Sequence, residues 1–156
     1  MTETTPAVAD ATDASAPVLT LQAVYLKDAS FEAPLGPRID GTWNPQLGLD
    51  LQTETSVIDG DLREVVLQVT VTAKQGDKTS FVAEVKQAGA FVMQNLGEED
   101  HKRAVASVAP GVLFPYARAA ISMLVTQGGF PQLLLPPVNF DALYANASTP
   151  GAGAPN

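Results

Sequence analysis

The sequence predicts an α+β fold, a four-stranded antiparallel sheet followed by helices, and three observations carry that reading. Apolar and polar residues alternate in four segments between Val18 and Phe91, the period of a strand with one buried face. Short polar stretches, Asp59-Gly60-Asp61 and Gln75-Gly76-Asp77-Lys78, fit hairpin returns and hence an antiparallel meander. Beyond Gly97 the apolar spacing lengthens to that of a helix. With 156 residues and 46% apolar content, the chain is about one domain. That domain is predicted over 18–147, between a disordered leader (1–17) and a flexible tail (148–156).

The leader is Thr, Ala, Asp and Pro, with Met1 and Val8 its only large apolar residues, too little to bury. Val18–Phe31 reads as a half-buried strand. Leu19, Leu21, Ala23, Tyr25 and Phe31 share one parity, and Gln22, Asp28, Ser30 and Glu32 share the other, with a break near Lys27-Asp28. Ala33–Pro45 holds prolines, glycines and the sole tryptophan, Trp43, and reads as a long excursion of the kind that often carries function. Leu47, Leu49 and Leu51 alternate with Gly48, Asp50 and Gln52 as a second strand. Glu64–Ala73 points Val65, Leu67, Val69 and Val71 one way. Phe81–Phe91 sets Phe81, Ala83 and Val85 on one face and Val82, Glu84 and Lys86 on the other.

Gly97–Ala109 opens with Glu98, Glu99 and Asp100, acids where a helix N-terminus favours them. Pro110-Gly111 is expected to end that short helix. Pro115 suits the start of another, with Ala117, Ile121 and Leu124 as its apolar stripe beside Ala120 and Val125, and Gly128-Gly129 as its stop. Asn139 can cap a last short helix, Phe140–Ala147. The connector Gly128–Phe140 is unusual. It is rich in breakers, Gly128, Gly129, Pro131, Pro136 and Pro137, yet carries Phe130, Leu133, Leu134, Leu135, Val138 and Phe140. Surface connectors are normally polar, so this one is either covered or forms an apolar wall.

Composition excludes several function classes. A net charge of −8 argues against nucleic acid and anionic membranes. With no cysteine there is no thiolate nucleophile and no Cys-based metal site. No run of about 18 apolar residues predicts a bilayer span, and no basic-then-apolar leader predicts a signal peptide. The only histidine, His101, is expected to be a solvated helical residue, without the nucleophile of a triad or the converging ligands of a metal site. No phosphate-binding glycine loop is present. Enzyme chemistry and a cofactor are therefore not expected. Two features stand out instead. Asp28, Glu32, Val82 and Glu84 fall on the polar parity of their strands, which makes either an ordinary solvated face or an acidic contact surface. Trp43, Phe130, Leu133, Leu135 and Phe140 lie in breaker-rich segments, as buried core or as the lining of a groove or oligomer contact.

Several ordered motifs closely resemble the protein-export chaperone SecB family. They are Tyr25-x-Lys27-Asp28-x-Ser30-Phe31-Glu32-Ala33-Pro34, Glu64–Leu67 with Val69–Ala73, Leu113-Phe114-Pro115-Tyr116-Ala117-Arg118, and Gly129-Phe130-Pro131-x-Leu133-x-Leu135-x-Pro137 through Leu143. The match runs from about Leu19 to Tyr144. The resemblance implies a four-stranded antiparallel sheet with one long and one shorter C-terminal helix, and a homotetramer built as a dimer of dimers. It implies a cytosolic holdase that keeps precursors unfolded without ATP and passes them to the SecA ATPase. By residue it implies a SecA contact at Asp28, Glu32, Val82 and Glu84. It implies a client groove from Trp43 with Phe130, Leu133, Leu135, Val138 and Phe140. Ala83, Val85, Gln87, Ala117, Ile121 and Leu124 become candidates for core and subunit contacts. Longer family members carry an acidic tail that also touches SecA, whereas Pro150 and Gly151 here predict no long extension of the last helix. The alternative reading is a structural or regulatory oligomer, such as an antitoxin-stabilising relative, that uses the apolar connector only for assembly.

Overall fold

A computed structural model describes residues 15–148, so most of the expected leader and the tail beyond Ser148 lie outside the described residues. Four strands come first: β1 Val18–Glu32, β2 Gln46–Asp59, β3 Leu62–Gln75 and β4 Lys78–Gln94. Helical segments follow: α1 Glu98–Arg103, a π turn Ala104–Val108, α2 Ala109–Gln127 and α3 Phe140–Ser148. The strands form one antiparallel sheet in the order β1-β4-β3-β2. The short returns join β2, β3 and β4 as the alternation predicts. The first strand departs from a simple meander: β1 lies beside β4, and residues 33–45 carry the chain across to the opposite edge. A connection of that length is no hairpin turn, so nothing holds β1 next to β2.

β1 also departs from its predicted single parity. The expected break near Lys27-Asp28 is a register shift inside a continuous strand, and a second shift lies between Leu21 and Ala23. Each extra residue flips the side chains that follow. Leu19 and Leu21 pair with Met93 and Phe91 on the helix side, Ala23 and Tyr25 pair with Ala90 and Ala88 on the opposite face, and Phe31 returns to the helix side opposite Ala83.

The helical region is one continuous helix, Glu98–Gln127, where two separate ones were expected from Pro110-Gly111. Pro110 stands in the first turn of α2, directly after the π turn, and is buried. A proline removes the N–H that would bond four residues back. Here the ladder has already changed to the wider π spacing, so the helix continues through it. By length and apolarity this helix could cross a membrane. Instead it lies on the sheet: Leu113, Ala117, Ile121 and Val125 are fully buried against Val65, Leu67, Val69, Val71, Ala83 and Val85. That stripe runs to Val125, with Leu124 beside it half-buried. α2 covers β3 and β4, so the edge strand β2 keeps Leu47 and Leu49 exposed on the same face.

Candidate functional site

The two breaker-rich segments meet at one end of the sheet. α2 ends in a left-handed turn at Gly129 (φ 86°), with Gly129 N–H bonded to Thr126 O at 3.1 Å and Phe130 N–H to Val125 O at 3.2 Å. These paired bonds satisfy the last carbonyls of the helix and turn the chain sharply. Glycine is required twice here. A Cβ on Gly128 would lie 2.3 Å from the Phe31 ring, and one on Gly129 would lie 2.9 Å from Pro37. The connector is thus seated directly on the excursion. Phe130 enters an aromatic cluster, with ring centroids 5.1 Å from Phe81, 5.5 Å from Trp43 and 6.2 Å from Phe31.

Gln75, which the sequence offered only as a turn residue, holds the excursion in place. Its side-chain amide donates to Asp40 O at 2.9 Å and Thr42 O at 3.1 Å, and its carbonyl oxygen accepts from Asn44 N–H at 3.1 Å. Three bonds from one amide on β3 fix the loop on both sides of Trp43. No local pattern in the sequence reveals this, because the partners lie more than 30 residues apart.

From Phe130 the connector runs back along α2 to α3. Its side chains alternate: Phe130 and Leu135 are each 4% exposed, Leu133 is half-buried, and Leu134 is 67% exposed. Phe140 is buried with its ring 5.8 Å from Phe114, and Val138 is half-buried. The six expected groove residues therefore form one continuous apolar strip. Phe130, Leu135 and Phe140 are its buried floor, while Trp43, Leu133 and Val138 reach the surface. Leu134 lies outside that expected set. It faces Met123 across a groove of about 490 Å³ that Arg118 and Ser122 also line. A second groove, of about 570 Å³, lies between Val108 and Val112 on the helix and Val138 on the connector.

α3 closes this strip through a polar contact. Asp141 accepts from Ser107 Oγ at 2.6 Å and from Arg103 Nη2 at 3.2 Å, and Asn139 Oδ1 caps Ala142 N–H at 3.0 Å as the sequence predicts. These donors, the Ser107 hydroxyl first, hold the Asp141 carboxyl below its ordinary pKa. Ser107 is a buried polar residue of the π turn, so the helix irregularity and the α3 docking point coincide.

The sheet face away from the helix is of another kind. Cross-strand pairing aligns Glu32 with Val82, Ser30 with Glu84 and Asp28 with Lys86, and continues through Thr70 to Asp50 on β2. Asp28, Glu32, Val82 and Glu84 thus come together over adjacent rows of one outward face. Glu84 Oε2 accepts from Thr70 Oγ1 at 2.8 Å. Toward the other end of the face Glu64 accepts from the Tyr25 hydroxyl and from Lys27 Nζ, the latter at 2.6 Å. Lys27 and then Tyr25 hold Glu64 below the ordinary carboxylate pKa. Burial, and then the Glu64 carboxylate, push the Tyr25 hydroxyl up to about 12.

Of the expected core and subunit contacts, Ala83, Val85, Gln87, Ala117 and Ile121 are buried inside this chain, and Leu124 keeps part of its surface. His101 is not simply solvated. It is half-buried beside Thr55 and Tyr144, and its Nε2 has no partner among the described residues. The first turns of the helix lean against β2 and α3, which the local charge pattern did not show. Among the described residues no cluster of metal-binding side chains occurs.

A family model described as preprotein translocase subunit SecB matches residues 12–150. A protein-export protein SecB of Pseudomonas fluorescens is 50% identical over 146 residues, 93% of this chain and 91% of its own length. That of Ectopseudomonas mendocina is 47% identical over 146 residues, with the same shares covered. Among solved structures, a SecB-like chaperone of Mycobacterium tuberculosis in complex with an antitoxin peptide matches with a TM-score of 0.66 at 16% identity, over 78% of this chain and 91% of that one. This last likeness is one of fold.

Proposed function

The chain belongs to the SecB family, and on that premise we propose that this protein-export chaperone is an ATP-independent holdase that delivers unfolded precursors to SecA in the cytoplasm. The observation that carries the reading is the apolar strip from Trp43 along the connector. It is anchored by Phe130, Leu135 and Phe140 in the core, and it presents Leu133, Leu134 and Val138 outward. A holdase needs contact area that accepts many sequences, not a coded pocket. Each Å² of apolar surface covered contributes about 25 cal/mol, and several weak contacts along one tethered client reinforce each other. No catalytic step is part of this reading, since the SecB family is not an enzyme family.

The proposed SecA contact is the outward sheet face with Asp28, Glu32, Val82 and Glu84. It is separate from the strip: these side chains leave the sheet on the face opposite α2. The proposed dimer of dimers has a surface available on α2, where Val112, Tyr116, Ala119 and Met123 recur at helical spacing and are exposed. Such a stripe suits pairing with a second helix.

The test is a holding assay. An unfolded secretory precursor is diluted from denaturant with a several-fold excess of the protein and no nucleotide, while Trp43 fluorescence is followed and mass is measured in solution. Suppressed aggregation with a fluorescence change supports the reading. If the protein stays oligomeric, Trp43 does not respond and aggregation is not slowed, the strip serves assembly and the chaperone reading fails.

A further inference from the structure

We infer that Gln75 is a positioning residue for client binding: it holds Trp43 over Phe130 and so sets how fast a client segment is captured, not how long it stays. This inference rests on the client-binding reading above and gives a role in it to a residue outside the apolar strip.

The need for such a residue begins at Pro45. The β2–β3 ladder ends at the pair Gln46↔Lys74. One step further Pro45 stands opposite Gln75, and a proline has no N–H with which to extend the ladder. Backbone pairing stops there. Among the described residues no backbone–backbone hydrogen bond joins residues 37–45 to the rest of the chain. The Gln75 side chain takes over. It is the last residue of β3, directly before the Gly76-Asp77 turn. Its amide reaches Asp40 O, Thr42 O and Asn44 N–H in succession along the loop. Both N–H groups and the oxygen are engaged there, so the amide serves the loop and not a client.

Packing seats the loop less firmly. No residue of 33–45 is fully buried, and Trp43 itself is half-buried. Its ring lies on Phe130, with centroids 5.5 Å apart, and Pro37 lies beside Gly129. One net hydrogen bond shifts an equilibrium by roughly two- to tenfold, so the loss of all three bonds to Gln75 moves the loop from docked toward undocked. Only the docked loop presents Trp43 as a wall of the strip. Apparent affinity falls with the fraction of molecules in the competent state. The loss arises in the free protein and therefore enters the rate of capture. Contacts made by the bound client govern release, and those are left in place.

The test uses the full chain, its single tryptophan and a labelled, extended apolar peptide. Gln75→Met keeps the length of the side chain and removes every bond to the loop. Gln75→Glu keeps the shape and the acceptor for Asn44, but sets a carboxylate against two carbonyl oxygens. Gln75→Lys keeps a donor for those carbonyls. Acrylamide, a neutral quencher, should reach Trp43 more readily in Gln75→Met and Gln75→Glu. The association rate of the peptide should fall roughly tenfold in both, with the dissociation rate unchanged. Gln75→Lys should recover part of both readouts, and Gln52→Met, on β2 away from the loop, should alter neither. Denaturant midpoints on the same preparations show which variants are folded. Protection of Trp43 and an association rate equal to the parent's in Gln75→Met overturn the inference. So does a loss in the dissociation rate alone, which would make Gln75 a client contact. If Gln75→Met does not fold, the other two variants decide: a side chain that merely fills space predicts Gln75→Glu equal to the parent and Gln75→Lys the worse, the reverse of the order expected here. If the parent neither binds the peptide nor holds the unfolded precursor, the client reading fails and this role fails with it.

Discussion

The two faces of the sheet are made by the same strands, one residue apart, and they carry different kinds of information. On the helix side, Val69, Val71, Ala83 and Val85 have no exposed surface and belong to one core cluster with the buried residues of α2. On the other side, Thr70, Thr72, Val82 and Glu84 alternate with them and stay half-exposed. A change on the helix side is a change of volume in a closed space, and the structure must absorb it. A change on the outward side alters charge or hydrogen bonding next to water, where binding responds more than folding. If the strip and the acidic face serve different partners, mutations should separate along this line: large stability effects on one side, large binding effects with small stability effects on the other.

The strongest expected effect is at Phe130. Removing its ring opens a void among Trp43, Phe81 and Phe31. Phe130→Ala should lower stability by about 3–5 kcal/mol, read from denaturant midpoints at unchanged slope, and should reduce client holding. A loss under about 1 kcal/mol would mean that the connector is a loose flap, and the contrast between the faces would collapse. Gly128→Ala comes next. The added methyl meets the Phe31 ring at 2.3 Å, an overpacking that should destabilise by about 1–3 kcal/mol. Gly111→Ala, with nothing within 4 Å of the new carbon, is the control, expected to stabilise α2 by up to about 1 kcal/mol.

These two sites also mark what could be read in the sequence. The four strands, the polar parity of Asp28, Glu32, Val82 and Glu84, and the Asn139 cap follow from local periodicity and local hydrogen bonding, which a linear reading captures. Gly128-Gly129 was legible as a helix stop, but its closeness to Phe31 and Pro37 was not, because those partners come from another part of the chain. The shifts in β1 erased the predicted parity at Ala23 and Tyr25, since a bulge leaves no reliable trace in the hydrophobic pattern. Pro110 does not end the helix because it falls in the first turn of α2, directly after the π turn, and Pro115, expected to start a separate helix, lies inside the same α2. The strip itself was legible as a list of apolar residues. Its division into buried floor and exposed edge was not, because alternation along an extended connector depends on where α2 lies.

Between the extremes stands the cluster of Tyr25, Lys27 and Glu64. It lies on the outward face, yet it is partly shielded, with the Glu64 side chain only 15% exposed. The pKa of Glu64 is lowered by Lys27 and then Tyr25. Its contribution to stability is therefore complete above the unfolded-state pKa and is lost as pH falls through the lowered folded value. Tyr25 is raised to about 12. Its contribution is present below its unfolded value and is lost as pH rises through about 12. Glu64→Gln should flatten the acid limb of the stability–pH curve. It should also bring the Tyr25 ionisation, followed by ultraviolet difference absorbance against Tyr25→Phe, part of the way back down. The return is only partial because burial, the larger cause, remains. An unchanged Tyr25 midpoint would show that Glu64 does not act on it.

The smallest effect on folding is expected where the proposed partner contact is densest. Asp28→Lys faces Lys86 across the strands, and a like-charge cross-strand pair destabilises by roughly 0.2–1 kcal/mol. Glu84→Lys forfeits the bond from Thr70 at a half-exposed site, where a single neutral donor contributes about 1 kcal/mol or less. Both variants should stay folded and hold clients as the parent does, because neither touches the connector or the excursion. If the outward face receives SecA through complementary charge, each reversal should weaken that association several-fold, and the effect should shrink as salt screens it. Measuring SecA binding and client holding on the same preparations decides the matter. A parallel loss of both would mean that the two faces act as one surface, and that the division between the odd and even residues of β4 is one of packing alone.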